Sequence, residues 1–192
     1  MTISFCAGIV AIVRSRSPLA DPIDIVKTMC DSGLQWVEIT LTTPGACTAL
    51  RQVRDAGLTI GAGSVRTRDD ALRARDAGAG FLVTPGLVEG AADAGLPVLM
   101  GAYTASEAMR AVDLGATAVK LFPASLLTPA YARALLAPLP DLRLVPTGGV
   151  APADFAAWKA AGCVGVGVGS DLRCEEPDGL AERARACVAA WR

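Results

Sequence analysis

The chain has 192 residues, 52% hydrophobic and 19% charged, which suits one domain with a real core and excludes a disordered tail. Eighteen basic residues nearly balance nineteen acidic ones, and aromatics are 5%, so neither nucleic acid nor an anionic membrane is expected as a partner. There is no histidine, which removes Ser-His-Asp and Cys-His nucleophile pairs, His-ligated zinc and His acid–base chemistry.

The first apolar run, 8–14, predicts a strand ending on Arg14. A helix pattern over 21–32 follows, with Asp24 as a capping signal and Gly33 as its stop. The next strand, 36–40, carries Glu38 and Thr40; a helix over 46–56 ends at Gly57. A strand over 59–62 leads to Ser64, and Thr67 with Asp70 opens a helix over 68–77. The strand over 81–84 ends on Thr84-Pro85-Gly86, and the stretch between Pro85 and Pro97 leaves little room for a helix. A strand over 98–100 precedes a helix over 104–114, opened by Thr104 with Glu107. The strand over 118–121 contains Lys120 and precedes a helix over 129–137. A strand over 143–146 runs into Thr147-Gly148-Gly149, and Ala151-Pro152 opens a helix over 152–160. The last strand, 164–168, exits through Gly169-Ser170.

Most of these strands are nearly continuous apolar runs, which suits parallel strands buried on both faces. Eight strand–helix units of roughly 20–25 residues predict a compact (β/α)8 TIM barrel, one α/β domain spanning 1–192. An open doubly wound sheet is the structural alternative. None of the six cysteines forms a C-x-x-C pair, and buried free thiols in a cytoplasmic protein are expected. The apolar stretch 6–13 is too short to span a bilayer.

In such a barrel, chemistry sits where the strands end. Lys120 lies in an apolar strand; desolvation there lowers an amine's pKa and frees it to form a Schiff base. The other two lysines, Lys27 and Lys159, fall in exposed helical patterns. A carboxylate in a β-branched run is costly core filler, so Glu38 is expected to salt-bridge or shuttle protons; an ion pair with Arg14 or Lys120 would not exclude catalysis. Arg14 can hold a carboxylate or phosphate bidentately. Gly148-Gly149 and Gly169-Ser170 follow the last two strands, where bare N–H groups can cradle a phosphate. Ser64, Thr84 and Pro85 close two other strands near a substrate. This set describes a class I aldolase acting on a 2-keto acid phosphate, with no metal and no cofactor.

Val37-Glu38-Ile39-Thr40, Gly61-Ala62-Gly63-Ser64-Val65, Val119-Lys120-Leu121-Phe122-Pro123, Pro146-Thr147-Gly148-Gly149-Val150 and Gly167-Val168-Gly169-Ser170 occur in that order. Together they closely resemble the 2-keto-3-deoxy-6-phosphogluconate (KDPG) / 4-hydroxy-2-oxoglutarate (KHG) aldolase family, from about Gly8 to Leu172. The resemblance implies a homotrimer, with Lys120 forming the pyruvate imine and Glu38 moving protons through a water. It implies that Arg14 with Ser64 and its neighbours holds the carboxylate, that Thr147 contacts substrate, and that Gly148, Gly149 and Ser170 cradle phosphate. Its products are pyruvate and glyceraldehyde 3-phosphate. Thr42 stands where some members have arginine, Ser125 where many have glutamate, and Ser64 where threonine is usual. Members acting on the 6-phosphogalactonate epimer (KDPGal) often share the serine but many differ at the position of Thr147. A phosphosugar isomerase or epimerase, and a non-catalytic sugar-acid-binding barrel, are the readings of other classes.

Overall fold

A computed structural model describes residues 5–192 apart from 175 and 177. Its strands are β1 (Gly8–Val13), β2 (Trp36–Thr40), β3 (Gly61–Gly63), β4 (Phe81–Val83), β5 (Val98–Ala102), β6 (Ala118–Leu121), β7 (Leu144–Pro146) and β8 (Gly165–Val168). Its helices are α1 (Pro22–Asp31), α2 (Ala46–Asp55), α3 (Arg68–Asp76), α4 (Ala105–Asp113), α5 (Pro129–Leu136), α6 (Phe155–Ala160) and α7 (Leu180–Trp191). Every strand pair is parallel, in the order β7-β6-β5-β4-β3-β2-β1-β8. The remaining gap narrows to a bridge between Thr147 and Gly167, and Val164 N–H donates to Leu144 O at 3.0 Å. The sheet therefore curls into a nearly closed (β/α)8 barrel, and the open doubly wound alternative falls.

The period of two along each strand sorts the apolar residues into two bodies. Ala11, Ile39, Leu82, Met100, Leu121 and Val166 belong to the larger core between sheet and helices. Val10, Phe81, Val83, Leu99, Ala118 and Val145 form a smaller core inside the barrel. There Phe5, Trp36 and Phe81 meet edge to face, with ring centres 5.2, 5.6 and 5.7 Å apart. Each such pair contributes about 0.5–1.5 kcal/mol beyond area burial.

The helix punctuation follows the local chemistry. Thr67 accepts from Asp70 N–H, and Thr104 with Glu107 forms a reciprocal capping box. The cap of α1 is Asp21, which accepts from Asp24 N–H; the expected signal at Asp24 lies three residues inside. The fourth unit is cut to a 3-10 turn at Ala91–Ala94, as the short space between its prolines requires. The helix expected over 152–160 divides into a 3-10 turn, Pro152–Asp154, and α6. No helix was expected where α7 lies. Cys6, Cys163, Cys174 and Cys187 are buried, and Cys6, Cys30, Cys47, Cys163 and Cys187 are free thiols. Among the described residues no helix is long and apolar enough to cross a membrane.

Candidate active site

Ala118 faces the barrel interior, so Lys120 two residues on faces the same way. Its strand neighbours there are Gly101 on β5 and Val145 on β7. Lys120 is 6% exposed and has no hydrogen bond or ion pair among the described residues; its amine nitrogen lies 4.7 Å from the centre of the Phe122 ring. Burial lowers its pKa, the Glu38 charge opposes that shift, and the Arg14 charge adds to it.

Glu38 rises above Trp36 on the inner face of β2 and is 1% exposed. A Cβ on Gly63 of the neighbouring strand would sit 2.5 Å from Glu38 Oε1 and 2.6 Å from its Cδ. The glycine is thus the space the carboxyl occupies. Glu38 Oε2 has no hydrogen-bond partner. Desolvation pushes this carboxyl up to about 7, against the smaller pull of the Lys120 and Arg14 charges. Among the described residues Glu38 forms no ion pair with Arg14 or Lys120, although both charges act on it.

An open cavity of about 500 Å³ lies over this end of the barrel. Arg14, Lys120, Thr147, Gly148, Gly149, Gly169 and Ser170 line it, as does Ile12, the register partner of Glu38 on β1. Gly148 and Gly149 have φ of 86° and 80°, which side-chain-bearing residues rarely adopt. The turn after β6 supports them: Ala124 N–H donates to Thr147 O and Ser125 N–H to Gly148 O, both at 2.8 Å. Ser125 packs against Gly149, where an added Cβ would lie 2.6 Å from the serine Cβ. Thr147 Oγ1 donates to Val145 O at 3.2 Å and overhangs Gly167, whose added Cβ would meet it at 2.3 Å.

Glu38 is buried beneath the cavity and does not line it, and neither do Thr40, Ser64, Thr84 and Pro85. The Thr40 hydroxyl lies 3.1 Å from that of Thr42 and 3.2 Å from that of Thr43, and Thr43 accepts from Ser15 N–H, so this cluster ties the exits of β1 and β2. The Thr84 hydroxyl donates to Gly86 O at 2.6 Å and accepts from Gly101 N–H at 3.0 Å. Ser64 has φ 57°, the left-handed region, where the chain leaves β3. Wall residues that the sequence reading did not assign to the site include Ser15, Arg16, Arg173, Cys174 and Glu176. The last three lie beyond the final strand, where no periodic pattern marks them.

A family model described as KDPG and KHG aldolase matches residues 4–179. The chain belongs to this family. It is 35% identical over 194 aligned positions to the 2-dehydro-3-deoxy-6-phosphogalactonate aldolase of Escherichia coli, covering 96% of this chain and 94% of that one. It is 40% identical over 156 positions to the 2-dehydro-3-deoxy-phosphogluconate aldolase of Pseudomonas aeruginosa, covering 76% and 71%. The solved native KDPGal structure superposes with a TM-score of 0.92 at 34% identity, covering 100% of this chain and 98% of that one. As a KDPG/KHG-type aldolase the chain is a carbon–carbon lyase of the metal-independent class I type. The KDPG/KHG barrel, read from either direction, places a lysine, a carboxyl and a glycine-lined mouth at one end.

Proposed function

We propose that this aldolase cleaves 2-keto-3-deoxy-6-phosphogluconate to pyruvate and D-glyceraldehyde 3-phosphate through an imine on Lys120. A second substrate is 4-hydroxy-2-oxoglutarate, giving pyruvate and glyoxylate. The observation that carries the reading is a buried, unpaired lysine with depressed pKa, opening on a cavity and electrostatically coupled to a protonatable Glu38.

The neutral Lys120 amine attacks the C2 carbonyl, and Glu38 protonates the leaving hydroxyl, so water departs and a protonated imine remains. Glu38, now a carboxylate, accepts the C4 hydroxyl proton through a water. The C3–C4 bond breaks, its electrons flow to the imine nitrogen, and the aldehyde leaves. Glu38 returns its proton to C3 of the neutral enamine, and water hydrolyses the imine to pyruvate and free Lys120. A carboxyl near 7 suits both directions of transfer at neutral pH. Arg14 holds the carboxylate; Thr147 contacts the substrate hydroxyls; Gly148, Gly149, Gly169 and Ser170 receive the phosphate. Thr40, Ser64, Thr84 and Pro85 shape the strand exits around them. The molecule works as a homotrimer.

Cleavage of the galactonate epimer is the second reading, favoured by the Escherichia coli relative and by Ser125. Borohydride reduction in the presence of pyruvate, followed by peptide mass spectrometry, tests the mechanism. A pyruvyl adduct on Lys120, lost together with pyruvate release in Lys120→Ala, is expected. Full lyase activity in Lys120→Ala would overturn it. The ratio of kcat/KM on the two epimers decides between the substrates.

A further inference from the structure

Ser170, Arg173, Cys174 and Glu176 follow the last strand and line the cavity. The Arg183 side chain gathers backbone carbonyls around them. Arg183, near the start of α7, donates Nε–H to Leu172 O at 2.9 Å and Nη1–H to Asp178 O at 2.8 Å. Its Nη2 reaches Arg173 O at 3.2 Å and also Glu176 O. A guanidinium offers five N–H donors in a fixed fork, so a single arginine can gather carbonyls spread over seven residues. Arg173 itself has φ 43°, a region an L-residue enters only when its surroundings impose it.

The charge that this backbone delivers is available to a ligand. Arg173 Nη1 lies 3.4 Å from Glu176 Oε2, with the two side chains 62% and 61% exposed. An exposed pair of that length contributes little, so a better-placed anion displaces it. Glu176 lines the same wall, close to Ser170 and the Gly148-Gly149 turn, and its carboxylate repels an incoming anion unless a cation offsets it.

We propose that Arg173 is a specificity-determining residue that exchanges Glu176 for the substrate's phosphate, and that Arg183 is the positioning residue that keeps it at the cavity wall. This rests on the aldolase reading for the identity of the substrate but is measurable without turnover. Calorimetry of the full chain with glycerol 3-phosphate reads the site directly. Arg173→Met is expected to weaken binding about tenfold or more, the usual effect of losing a charge-assisted hydrogen bond. Arg183→Met should weaken it in the same direction, and Glu176→Gln should strengthen it. In kinetics, Arg173→Met should raise KM for the phosphorylated six-carbon substrate, with kcat within about threefold. Its kcat/KM on unphosphorylated 4-hydroxy-2-oxoglutarate should stay unchanged. Arg173→Lys should recover part of the phosphate affinity.

No binding of glycerol 3-phosphate to the parent chain, or binding by Arg173→Met within twofold of the parent, overturns the proposal. So does an equal loss on both substrates, which would mark a general structural role. Failure to trap pyruvate on Lys120 would instead sink the aldolase mechanism while leaving the calorimetric result to stand.

Discussion

Glu38 carries a cost that its neighbours do not remove. Its carboxyl titrates near 4.5 when free and near 7 in the fold, so the folded chain holds the proton more tightly. Stability is therefore complete below about 4.5, declines as pH rises, and has lost this contribution above 7. Glu38→Gln should melt above the parent at pH 8, by of order 2 kcal/mol, and the difference should vanish near pH 4. On the proposed mechanism Glu38 starts protonated, so the same variant should lose the falling limb of the kcat/KM profile above about pH 7. Thermal melts and rate profiles across that range check both. At Thr147 the hydroxyl hangs over Gly167 beside Lys120 in the cavity wall. Thr147→Val keeps the shape and removes one hydrogen-bonding group, so it should shift the epimer ratio of kcat/KM by roughly tenfold while the fold survives. Residues like these were legible because a lysine and a glutamate inside apolar runs have few structural excuses. Arg173 was not legible, since its importance arises from a backbone held by Arg183 ten residues later.

Among the elements, the strands were readable and the helices mostly so. Continuous apolar runs marked all eight strands, because each has one face on the helices and the other in the barrel. The ends moved by a residue or two: β1 stops at Val13, leaving Arg14 just outside, and β3 is Gly61–Gly63 instead of 59–62. Those shifts place the polar residues relative to the mouth, and they depend on register, which single-strand patterns do not encode. Helix α7 was missed because alanines and arginines dilute its stripe of Leu180, Ala184 and Cys187. Within the barrel, Phe81 on β4 crosses to β3, where an added Cβ on Gly61 would lie 2.3 Å from its ring. Phe81→Ala should cost about 3–5 kcal/mol from the cavity left behind. Water admitted there should also raise the Lys120 pKa, so on the proposed mechanism pyruvate imine formation should begin its rise at a higher pH. A denaturant titration paired with trapping rates at several pH values checks this.

For the whole molecule, the distribution of exposed apolar side chains matters more than their number. Of six exposed large apolar residues, Leu87, Tyr103, Met109, Val112 and Leu126, the last at 72%, lie in the run from the exit of β4 to the exit of β6, and Ile23 lies apart on α1. Such clustering along one part of the barrel fits burial against other copies. If the chain assembles as proposed, Leu126→Lys should therefore sediment as a smaller species than the parent, with the barrel's circular dichroism intact. An unchanged sedimentation coefficient would place the contact elsewhere.

The aromatic triangle of Phe5, Trp36 and Phe81 has a kinetic consequence. Among the described residues it stops the barrel like a cork at one end, which leaves the mouth over Lys120 as the door for traffic. On the proposed imine mechanism pyruvate is tethered to Lys120 inside that door when the bond breaks, whereas the aldehyde half is free and nearer the exit. Departure is then a queue: aldehyde first, keto acid last, and in the condensing direction the keto acid must arrive first. Product inhibition should show pyruvate competing with the six-carbon substrate and the aldehyde phosphate inhibiting noncompetitively. The opposite assignment would mean that a second door opens.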